Sequence, residues 1–482
     1  MTSVPQNILV IGLGESGQAA ALLAAAGGAC VTAADSRPAS AFSGTLDNLR
    51  AAGVAVETGA EVIPSGGFDL AVVSPGLSPR ADLYRSLSES GIPVIGELEF
   101  GWSHIGAPTV AITGTNGKTT TTELITHMLS EAGQRTVAAG NIGLPASRVA
   151  LGGAVPERLV LEVSSFQLET TTVFDPEISV LLNITPDHLD RHGSTAEYAR
   201  IKARILSTRR TDAVAVVQSE ALAYLRSLKV EIPRRLVTFS SGSRKADLYF
   251  EDGLVMGGSG DWKGPLLSLQ QTRLRGGHNA ENIMAAMAVG REFGLSLEQM
   301  VRSVKTYRPA EHRIEPAGEI NGVIFVNDSK ATNLDAMMRA IEAMSSMIAE
   351  EPNILLIAGG SGKGLEFHEA GPLLSRRVKA AFLIGESRES MKAAWSLFTS
   401  CNLAGDLEEA VMLAVEMAEI GDVVLLSPAC ASFDQFTGYA HRGDCFKAIV
   451  ADLMNTTYGA PLLSRSTTDC GPRKTASKEH LA

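Results

Sequence analysis

The chain has few cysteines and no long apolar run, and each shortage excludes a class of protein. Its five cysteines are scattered and form no CxxC pair, which argues against a disulfide framework and against a zinc site. No stretch of about 18 apolar residues occurs, so the sequence predicts no stable membrane insertion. The first residues also lack the basic and apolar segments of a signal peptide, and we therefore expect a cytoplasmic protein.

The chain also has fewer basic than acidic residues. The chain has 42 Lys and Arg against 53 Asp and Glu, a formal net charge of -11, and no basic stripe interrupts this balance. That composition argues against a nucleic-acid partner. Hydrophobic residues make up 45% of the 482 residues, as in ordinary globular proteins, and this length is too great for one core. We therefore expect several domains, and we expect the protein to be a monomer.

Short apolar runs alternate with amphipathic stretches along most of the chain, a rhythm typical of parallel α/β sheets covered by helices. A first group contains NILVIGLG, CVTAADS, FDLAVVSPG and IPVIGEL. A second contains TVAITG, RLVLEVSS, ISVLLNIT and DAVAVVQ, and a third contains VIFVNDS, NILLIAGG, AAFLIGES and DVVLLSPAC. We predict three α/β domains, at residues 1–106, 107–311 and 312–458, and a disordered polar tail at 459–482.

Within the second group, the pattern predicts helices over residues 195–207 and 279–293. Residues 236–274 are less regular, and we interpret them as a small antiparallel insert or a flap.

Two glycine-rich turns follow apolar strands. The first, GLGESG from Gly12 to Gly17, has the spacing of a dinucleotide fingerprint, in which Asp35 would bind a ribose hydroxyl. The second, GTNGKT from Gly114 to Thr119, is typical of phosphate binding, because backbone N–H groups and a helix N-terminus can surround a phosphate. Lys118 would meet the β- and γ-phosphates, and the Thr119 hydroxyl can hold Mg²⁺. Ile112 stands where the usual GxxxxGK[ST] pattern has its first glycine.

Polar residues at the ends of later strands are candidates for metal and substrate binding, since open α/β sheets bind ligands at that edge. Glu162 ends one strand and His188 follows another, and with Thr119 they form an oxygen- and nitrogen-bearing set suited to Mg²⁺. Lys202 lies in an amphipathic helical stretch, where most lysines are simply solvated. The third group offers loops suited to a carboxylate, with Asp328, Lys330, Thr332, Lys363, Ser427, Ser432 and Phe433.

These stretches together resemble the Mur ligase family, the ATP-dependent amino-acid ligases of cytoplasmic peptidoglycan precursor synthesis. The resemblance covers roughly residues 5–455, with the motifs in family order: GTNGKTTT, GNIG, EVSSFQLE, NITPDHLDRH, HNAENIMAA, EHRIE, NDSKATN and SPACASFDQF. It implies an N-terminal Rossmann-like domain for the UDP end of the substrate, a central P-loop ATPase-like domain and a C-terminal Rossmann-like α/β domain. Within the family the likeness is greatest to the D-glutamate-adding members, which implies joining of D-glutamate to UDP-N-acetylmuramoyl-L-alanine through an acyl phosphate.

The resemblance also implies a role for each motif residue. ATP would be held by Gly114, Thr115, Asn116, Gly117, Lys118, Thr119, Thr120, Asn279, Asn282, Arg313 and Asp328. The UDP substrate would be held by Gly14, Glu15, Ser16, Gly17, Asp35, Ser36, Arg37, Ser74, Asn141 and Gln167.

By the same resemblance, D-glutamate would be met by Lys330, Thr332, Lys363, Ser427 and Phe433. Two Mg²⁺ ions would use Thr119, Glu162, His188 and Lys202, the last as a carbamylated lysine. Carbamylation turns a cation that would repel Mg²⁺ into an oxygen ligand. The implied catalytic residues are Lys118, His188, Lys202 and Lys330.

Other readings of the same sequence stay open. Folylpolyglutamate synthetases share the central motifs but normally begin with the ATP domain, and the diaminopimelate-adding ligase usually carries a DNPR stretch, which does not occur here. An NAD-dependent oxidoreductase would account for the first glycine-rich turn and Asp35 but not for the second turn. A nucleotide-binding module without catalysis would bind ATP and show no turnover.

Overall fold

The computed structural model describes residues 5–42, 46–77, 81–308, 311–345, 352–362 and 367–457, and these form a mixed α/β chain with three sheets dominated by parallel strands. Lys363 and the predicted tail at 459–482 lie outside the described residues. Among the described helices, none combines the length and the apolar character needed to cross a membrane.

The first sheet is parallel throughout and is built from β1 (Asn7–Ile11), β2 (Cys30–Asp35), β3 (Ala55–Thr58), β4 (Leu70–Val73) and β5 (Val94–Gly96). Its helices are α1 (Glu15–Ala26), α2 (Leu46–Ala51), α3 (Asp82–Glu89) and α4 (Glu97–Ser103). The strand order β3-β2-β1-β4-β5 reverses between β1 and β4. Open α/β sheets bind ligands at such a reversal, and the turns after both strands carry predicted site residues.

The central sheet is the largest. Its strands are β6 (Thr109–Thr113), β7 (Thr136–Gly140), β8 (Arg158–Glu162), β9 (Ile178–Leu181), β10 (Val214–Gln218), β11 (Arg235–Ser240), β12 (Leu248–Glu251), β13 (Leu254–Gly257) and β14 (Gly264–Ser268). They follow the order β14-β13-β12-β11-β10-β9-β6-β8-β7. Strand β6 is an interior strand of this sheet and is buried, with β8 and β9 parallel to it on either side. The loop after β6 therefore starts from a rigid position.

The helices that accompany the central sheet are α5 (Lys118–Glu131), α6 (Ala146–Leu151), α7 (Ser165–Leu168), α8 (Leu189–His192), α9 (Thr195–Ala203), α10 (Ser219–Ser227), α11 (Gly277–Glu292) and α12 (Leu297–Thr306). The helix predicted at 195–207 is shorter than expected, because α9 ends at Ala203 and a 3₁₀ turn, Arg204–Leu206, follows it. The helix predicted at 279–293 is α11. The irregular region 236–274 continues the sheet: β12 is parallel to β11, and β13 and β14 add an antiparallel extension.

The third sheet contains β15 (Glu315–Ile320), β16 (Val323–Asn327), β17 (Ile354–Gly359), β18 (Val378–Ile384), β19 (Ser400–Leu403) and β20 (Val423–Leu426). The order is β15-β16-β20-β17-β18-β19, and only the edge pair β15 and β16 is antiparallel among the described strands. Its helices are α13 (Leu334–Ser345), α14 (Gly371–Arg377), α15 (Arg388–Trp395), α16 (Leu407–Met417) and α17 (Tyr439–Thr457).

The chain divides into two compact units. One holds Met1–Thr272 and Asn279–Tyr307, with the first and central sheets, and the other holds Arg273–His278 and Arg308–Ala482, with the third sheet. Within the first unit, α1 and α4 pack against α6. The buried carboxylate of Glu99 in α4 also accepts hydrogen bonds from the backbone N–H groups of Thr172, Val173 and Phe174, at 2.6, 3.1 and 3.2 Å. These contacts fasten the first sheet to the central one.

The cysteines are not uniformly free. Cys30, Cys401 and Cys430 are free, whereas Cys445 is disulfide-bonded. One bonded cysteine among the described residues is not a disulfide framework, so the prediction from the scattered cysteines is not contradicted.

Candidate functional site

The glycine-rich turn after β6 is a tight loop that delivers the chain into α5. Gly117 lies at its end with φ 83°, and a Cβ there would come within 2.3 Å of the Asn282 side-chain oxygen. Both facts require glycine at this position, because left-handed backbone and close approach penalise any side chain. Ile112 is a fully buried residue of β6, so the strand runs two residues further than the usual phosphate-loop pattern predicts.

The neighbouring loop after β9 braces this turn. The Asn116 N–H donates to the Asn183 side-chain oxygen at 2.9 Å, and the Asn183 amide donates back to the Asn116 carbonyl at 3.1 Å. The Thr115 hydroxyl donates to the Thr185 carbonyl at 3.1 Å, and the Thr185 N–H donates to that hydroxyl at 3.0 Å. The sequence analysis did not identify Asn183 or Thr185, although both lie in the motif NITPDH.

Two lysine ammonium groups converge on the same turn. Lys118 Nζ donates to the carbonyls of Gly114 and Thr115 at 2.9 and 2.8 Å. Lys202 Nζ, from α9, donates to the Gly114 carbonyl at 2.8 Å. Two lysine side chains therefore meet at the start of a helix, and the positive charge of Lys118 there is suited to a polyphosphate.

Lys202 is not the solvated lysine that its helical stretch favours. Its residue exposure is 1%, and its ammonium lies 4.5 Å from the centre of the Tyr198 ring. Burial, reinforced by the charge of Lys118, holds the pKa of Lys202 well below its usual value, against the opposing effect of Asp187 and Glu162. A lowered pKa makes the neutral amine accessible, and the neutral amine is the form of lysine that reacts with CO₂.

Glu162, at the end of β8, has the features of a metal ligand. It is 3% exposed, and its Oε1 accepts from the Asn141 amide at 2.8 Å. Its Oε2 is buried and has no hydrogen-bond partner within the described part of the chain. An unsatisfied buried carboxylate oxygen is costly unless a cation or donor completes it. The residues present therefore fit Mg²⁺, which prefers carboxylate and hydroxyl oxygens.

His188 begins α8 in left-handed backbone geometry, with φ 51°. Its side chain is 49% exposed, and its Nε2 lies 3.6 Å from Asp187 Oδ2. The imidazole is close to the Phe166 ring, with the two ring centres 4.8 Å apart. Non-glycine residues adopt this backbone geometry rarely, and such residues cluster at functional sites.

Other predicted ATP residues lie around α5. Thr119 and Thr120 are buried in its first turn. Asn279 and Asn282 are buried in α11, where the Asn282 amide donates to the Asn279 side-chain oxygen at 3.1 Å and the Asn282 oxygen accepts from the Thr121 hydroxyl at 3.2 Å. Helix α11 therefore supplies two amides beside the phosphate turn.

The first glycine-rich turn is contacted by a carboxylate and a serine hydroxyl. Asp35, at the end of β2, accepts from the Leu13 N–H at 2.7 Å and from the Arg37 N–H and Nε at 2.9 and 3.0 Å. Burial would raise the pKa of Asp35, but these bonds and the Arg37 charge outweigh it and lower that pKa. The Ser74 hydroxyl donates to the Gly12 carbonyl at 3.1 Å. The Asp35 carboxylate thus braces the turn and pairs with Arg37.

The remaining predicted residues for the UDP substrate differ in exposure. Gly14, Glu15 and Ser36 are exposed, and Ser16 is half-buried. Gln167 is buried, and its side-chain oxygen accepts from the Ser164 N–H at 2.9 Å in the capping box that starts α7.

The second unit brings together part of its predicted set. The Ser427 hydroxyl donates to Asp328 Oδ2 at 2.8 Å, and burial raises the pKa of Asp328 to about 7. Lys330 Nζ lies 5.3 Å from the centre of the Tyr439 ring. Thr332 is exposed, and Phe433 is 76% exposed.

Arg313 and Arg442 also belong to this set of loops. The positive charges of both act to lower the pKa of Asp328. Arg442, which the sequence analysis missed, is fully buried and donates to the Ser329 hydroxyl at 3.0 Å and to the Ser329 and Cys430 carbonyls at 2.9 and 3.1 Å. Its position in a helix gave no signal of this burial.

Comparison with known proteins agrees with these features. Residues 112–290 match the model described as Mur ligase middle domain, and residues 312–430 match Mur ligase, glutamate ligase domain. A UDP-N-acetylmuramoylalanine--D-glutamate ligase from Acidobacterium capsulatum is 41% identical over 449 residues, covering 92% of this chain and 96% of that protein. One from Pelotomaculum thermopropionicum is 38% identical, covering 93% of this chain and 98% of that protein.

Solved structures show the same fold. A UDP-N-acetylmuramate-alanine ligase from Thermotoga maritima aligns with a TM-score of 0.56 at 18% identity, covering 94% of this chain and 100% of that one. A MurF ligase from the same organism, in complex with ADP, aligns with a TM-score of 0.57 at 18% identity, covering 80% and 96%. The identity to the first relatives, over nearly the whole of both chains, settles the family: this chain belongs to the Mur ligases.

Proposed function

We propose that the chain is an ATP-dependent ligase that joins D-glutamate to UDP-N-acetylmuramoyl-L-alanine in cytoplasmic peptidoglycan precursor synthesis, acting as a monomer. Relatives of this name match at 38–41% identity over at least 92% of the chain. The structural observation that carries the proposal is the combination beside one phosphate turn of the Lys118 ammonium, the buried Lys202 side chain and the incompletely bonded carboxylate of Glu162.

The reaction must activate a carboxylate, because a carboxylate is a poor acyl donor. The terminal carboxylate of the L-alanyl group attacks the γ-phosphorus of ATP, which gives an acyl phosphate and ADP. The amine of D-glutamate then attacks the acyl carbon, and phosphate leaves as the amide forms. Lys118 neutralises charge on the transferring phosphoryl group, while the loop backbone and α5 hold the phosphates in position.

Two Mg²⁺ ions would be held by Thr119, Glu162, His188 and Lys202, with Lys202 carbamylated. Bound there, Mg²⁺ supplies charge neutralisation at the phosphates. The chain's own contribution is to orient Glu162, through the bond from Asn141, and to keep Lys202 buried with a lowered pKa. The open oxygen of Glu162 supports this assignment.

The other roles follow the resemblance and the local geometry. In this proposal residues 1–106, 107–311 and 312–458 are an N-terminal Rossmann-like domain for the UDP substrate, a P-loop ATPase-like domain and a C-terminal Rossmann-like domain for the amino acid. ATP would also use Arg313 and Asp328. D-glutamate would use Lys330, Thr332, Lys363 and Phe433, with Ser427 acting through its bond to Asp328.

The test is phosphate release from ATP and Mg²⁺ in the presence of UDP-N-acetylmuramoyl-L-alanine. D-glutamate should be compared with L-glutamate, glycine, L-alanine, L-lysine and diaminopimelate. We expect release that depends on both the UDP substrate and D-glutamate. Release with another amino acid would retain the family and overturn the proposed specificity, and no release from a folded protein that binds ATP would overturn the function.

A further inference from the structure

Arg191, in the short helix α8, makes contacts in three directions. Its Nε donates to both oxygens of Glu169, at 3.1 and 3.0 Å. Its guanidinium carbon lies 4.2 Å from the centre of the Phe166 ring. Its Nη1 donates to the Leu77 carbonyl at 3.3 Å. One side chain in α8 therefore touches residues from two other stretches of the first unit, one around α7 and one after β4.

Each of these stretches carries a predicted site residue. Phe166 and Glu169 flank Gln167 in and after α7, and Phe166 also contacts the ring of His188. Leu77 follows Ser74 in the turn after β4 of the first sheet. The contacts of Arg191 thus connect the turn at the first sheet with the loops that carry Gln167 and His188.

The Arg191–Glu169 pair is largely buried, with side-chain exposures of 15% and 18%. His192 lies beside the same carboxylate, with its Nδ1 3.1 Å from Glu169 Oε1 but without a hydrogen bond to a described residue, and its Nε2 lies 3.1 Å from the Ser165 hydroxyl. This order of serine, histidine and carboxylate resembles a nucleophilic triad. Ser165 is only 3% exposed, however, so the arrangement offers no nucleophile to a substrate.

We propose that Arg191 and Glu169 are positioning residues that hold the Ser74 and Gln167 loops in one fixed arrangement for the UDP substrate. The proposal rests on the proposed function. It assigns a role to Arg191 and Glu169, which have none in that function so far. Neither residue needs to touch the substrate. Their effect passes through the loops that they connect, and a loop displaced by about 1 Å can cost as much as a hundredfold in rate.

The planar guanidinium is essential to this role. It makes a forked contact with Glu169, covers the face of Phe166 and still reaches the Leu77 carbonyl. A lysine ammonium is a point charge and cannot make these three contacts together. Arg191→Lys therefore keeps the charge and removes the connection, which makes it a sharper test than removal of the whole side chain.

The experiment uses the full chain with Arg191→Lys and, as a second variant, Phe166→Leu, which leaves the ion pair in place. Arg200→Lys is the matched control, because Arg200 pairs with Glu197 on the neighbouring helix α9 with both side chains half exposed. KM values for UDP-N-acetylmuramoyl-L-alanine and for ATP are measured by phosphate release. Calorimetric binding of UDP-N-acetylmuramoyl-L-alanine without ATP, calorimetric binding of ADP and thermal unfolding are measured alongside.

We expect Arg191→Lys to lower kcat/KM for the UDP substrate roughly 10- to 100-fold, while the KM for ATP and the binding of ADP change less than about twofold. Phe166→Leu should have a smaller effect in the same direction, and the control should resemble the wild type. Equal losses on the ATP and UDP sides would overturn the proposal, as would unchanged kinetics in a folded Arg191→Lys variant.

The two proposals fail separately. A wild-type chain that binds UDP-N-acetylmuramoyl-L-alanine but releases no phosphate would overturn the proposed reaction, and the calorimetric comparison would still decide the role of Arg191. A wild-type chain that does not bind this nucleotide would overturn the positioning role itself.

Discussion

The two glycine-rich turns of the first unit look alike in sequence and differ in the charge that surrounds them. The turn after β1 is braced by the Asp35 carboxylate, which accepts from the Leu13 N–H. The turn after β6 is contacted by the ammonium groups of Lys118 and Lys202. The first turn is therefore contacted by a carboxylate that is paired with Arg37, whereas the second is contacted by the Lys118 ammonium and a buried lysine.

This difference shows that glycine spacing alone does not identify a phosphate site. A helix N-terminus attracts any anion, and beside the first turn the Asp35 carboxylate bonds the Leu13 N–H just before the helix. In the second turn, the Lys118 ammonium favours an additional anion from outside. What each turn binds depends on the side chains that contact it, and these come from distant parts of the sequence.

The largest effect should come from removing the cation of the second turn. We expect Lys118→Met to lower kcat roughly 10²- to 10³-fold, because it removes a charge that stabilises the transferring phosphoryl group. Phosphate release measures this effect, and thermal unfolding checks that the variant is folded. Activity within about tenfold of the wild type would show that the turn does not need its lysine.

Lys202→Ala should have the next largest effect, a loss of roughly a hundredfold, if the lysine acts as a carbamylated ligand. Acetate or formate in the buffer should then restore part of the activity, since a small carboxylate can replace the carbamate oxygen. Lys305→Ala, at an exposed position, is the control. A fully active Lys202→Ala variant would remove Lys202 from the site.

The packing of the first turn can be tested with two glycines. A Cβ at Gly17 would lie 1.7 Å from the Gly12 carbonyl oxygen, whereas a Cβ at Gly14 would meet no atom within 4 Å. Gly17→Ala should therefore lower the free energy of unfolding by about 1–3 kcal/mol in urea titrations, because α1 must shift. Gly14→Ala should be close to neutral, and equal effects of the two would contradict the close approach of α1 to the turn.

Asp35→Asn should have the smallest effect, a loss of about 1 kcal/mol in unfolding free energy at pH 7, since hydrogen bonds to a charged acceptor become weaker ones. The pKa of Asp35 is lowered by its Arg37 and Leu13 bonds, so its stabilisation is present above pH 3.8 and is lost as pH falls through the folded value. The difference between variant and wild type should shrink in acid. Arg50→Lys, in an exposed pair with Asp47, is the control.

Much of the fold could be predicted from the sequence because parallel strands form continuous apolar runs. The three groups of runs correspond to the three sheets. The strands β3, β7, β15 and β19 were missed, and β11 to β14 were covered only by the region interpreted as an insert or a flap. Of the four, β3, β15 and β19 carry polar or charged residues, and β7 is half-buried and ends in Ala-Ala-Gly. Such short strands depend on pairing with a neighbour, and that neighbour is not apparent in the local pattern.

The site was predicted less completely, because burial and pairing across the chain do not show in a motif. Lys202 looked solvated and is 1% exposed. Asn183 and Arg191 were within recognised motifs, but their bonds to Asn116 and Glu169 join segments that are far apart in sequence. The roles assigned to individual residues, including Lys363, remain predictions.

The hydrogen bonds that Lys118 donates to the Gly114 and Thr115 carbonyls have a consequence for nucleotide affinity. A nucleotide arriving at this turn competes with two carbonyl oxygens for a partly buried ammonium that is already oriented. Binding then exchanges carbonyl acceptors for phosphate acceptors on the Lys118 ammonium, so the favourable binding enthalpy is smaller than the charges suggest. The entropy cost is also small, because the Lys118 side chain is already ordered. Ligands that offer only a weak acceptor should fail to displace the carbonyls, and the turn thereby selects for multiply charged phosphates.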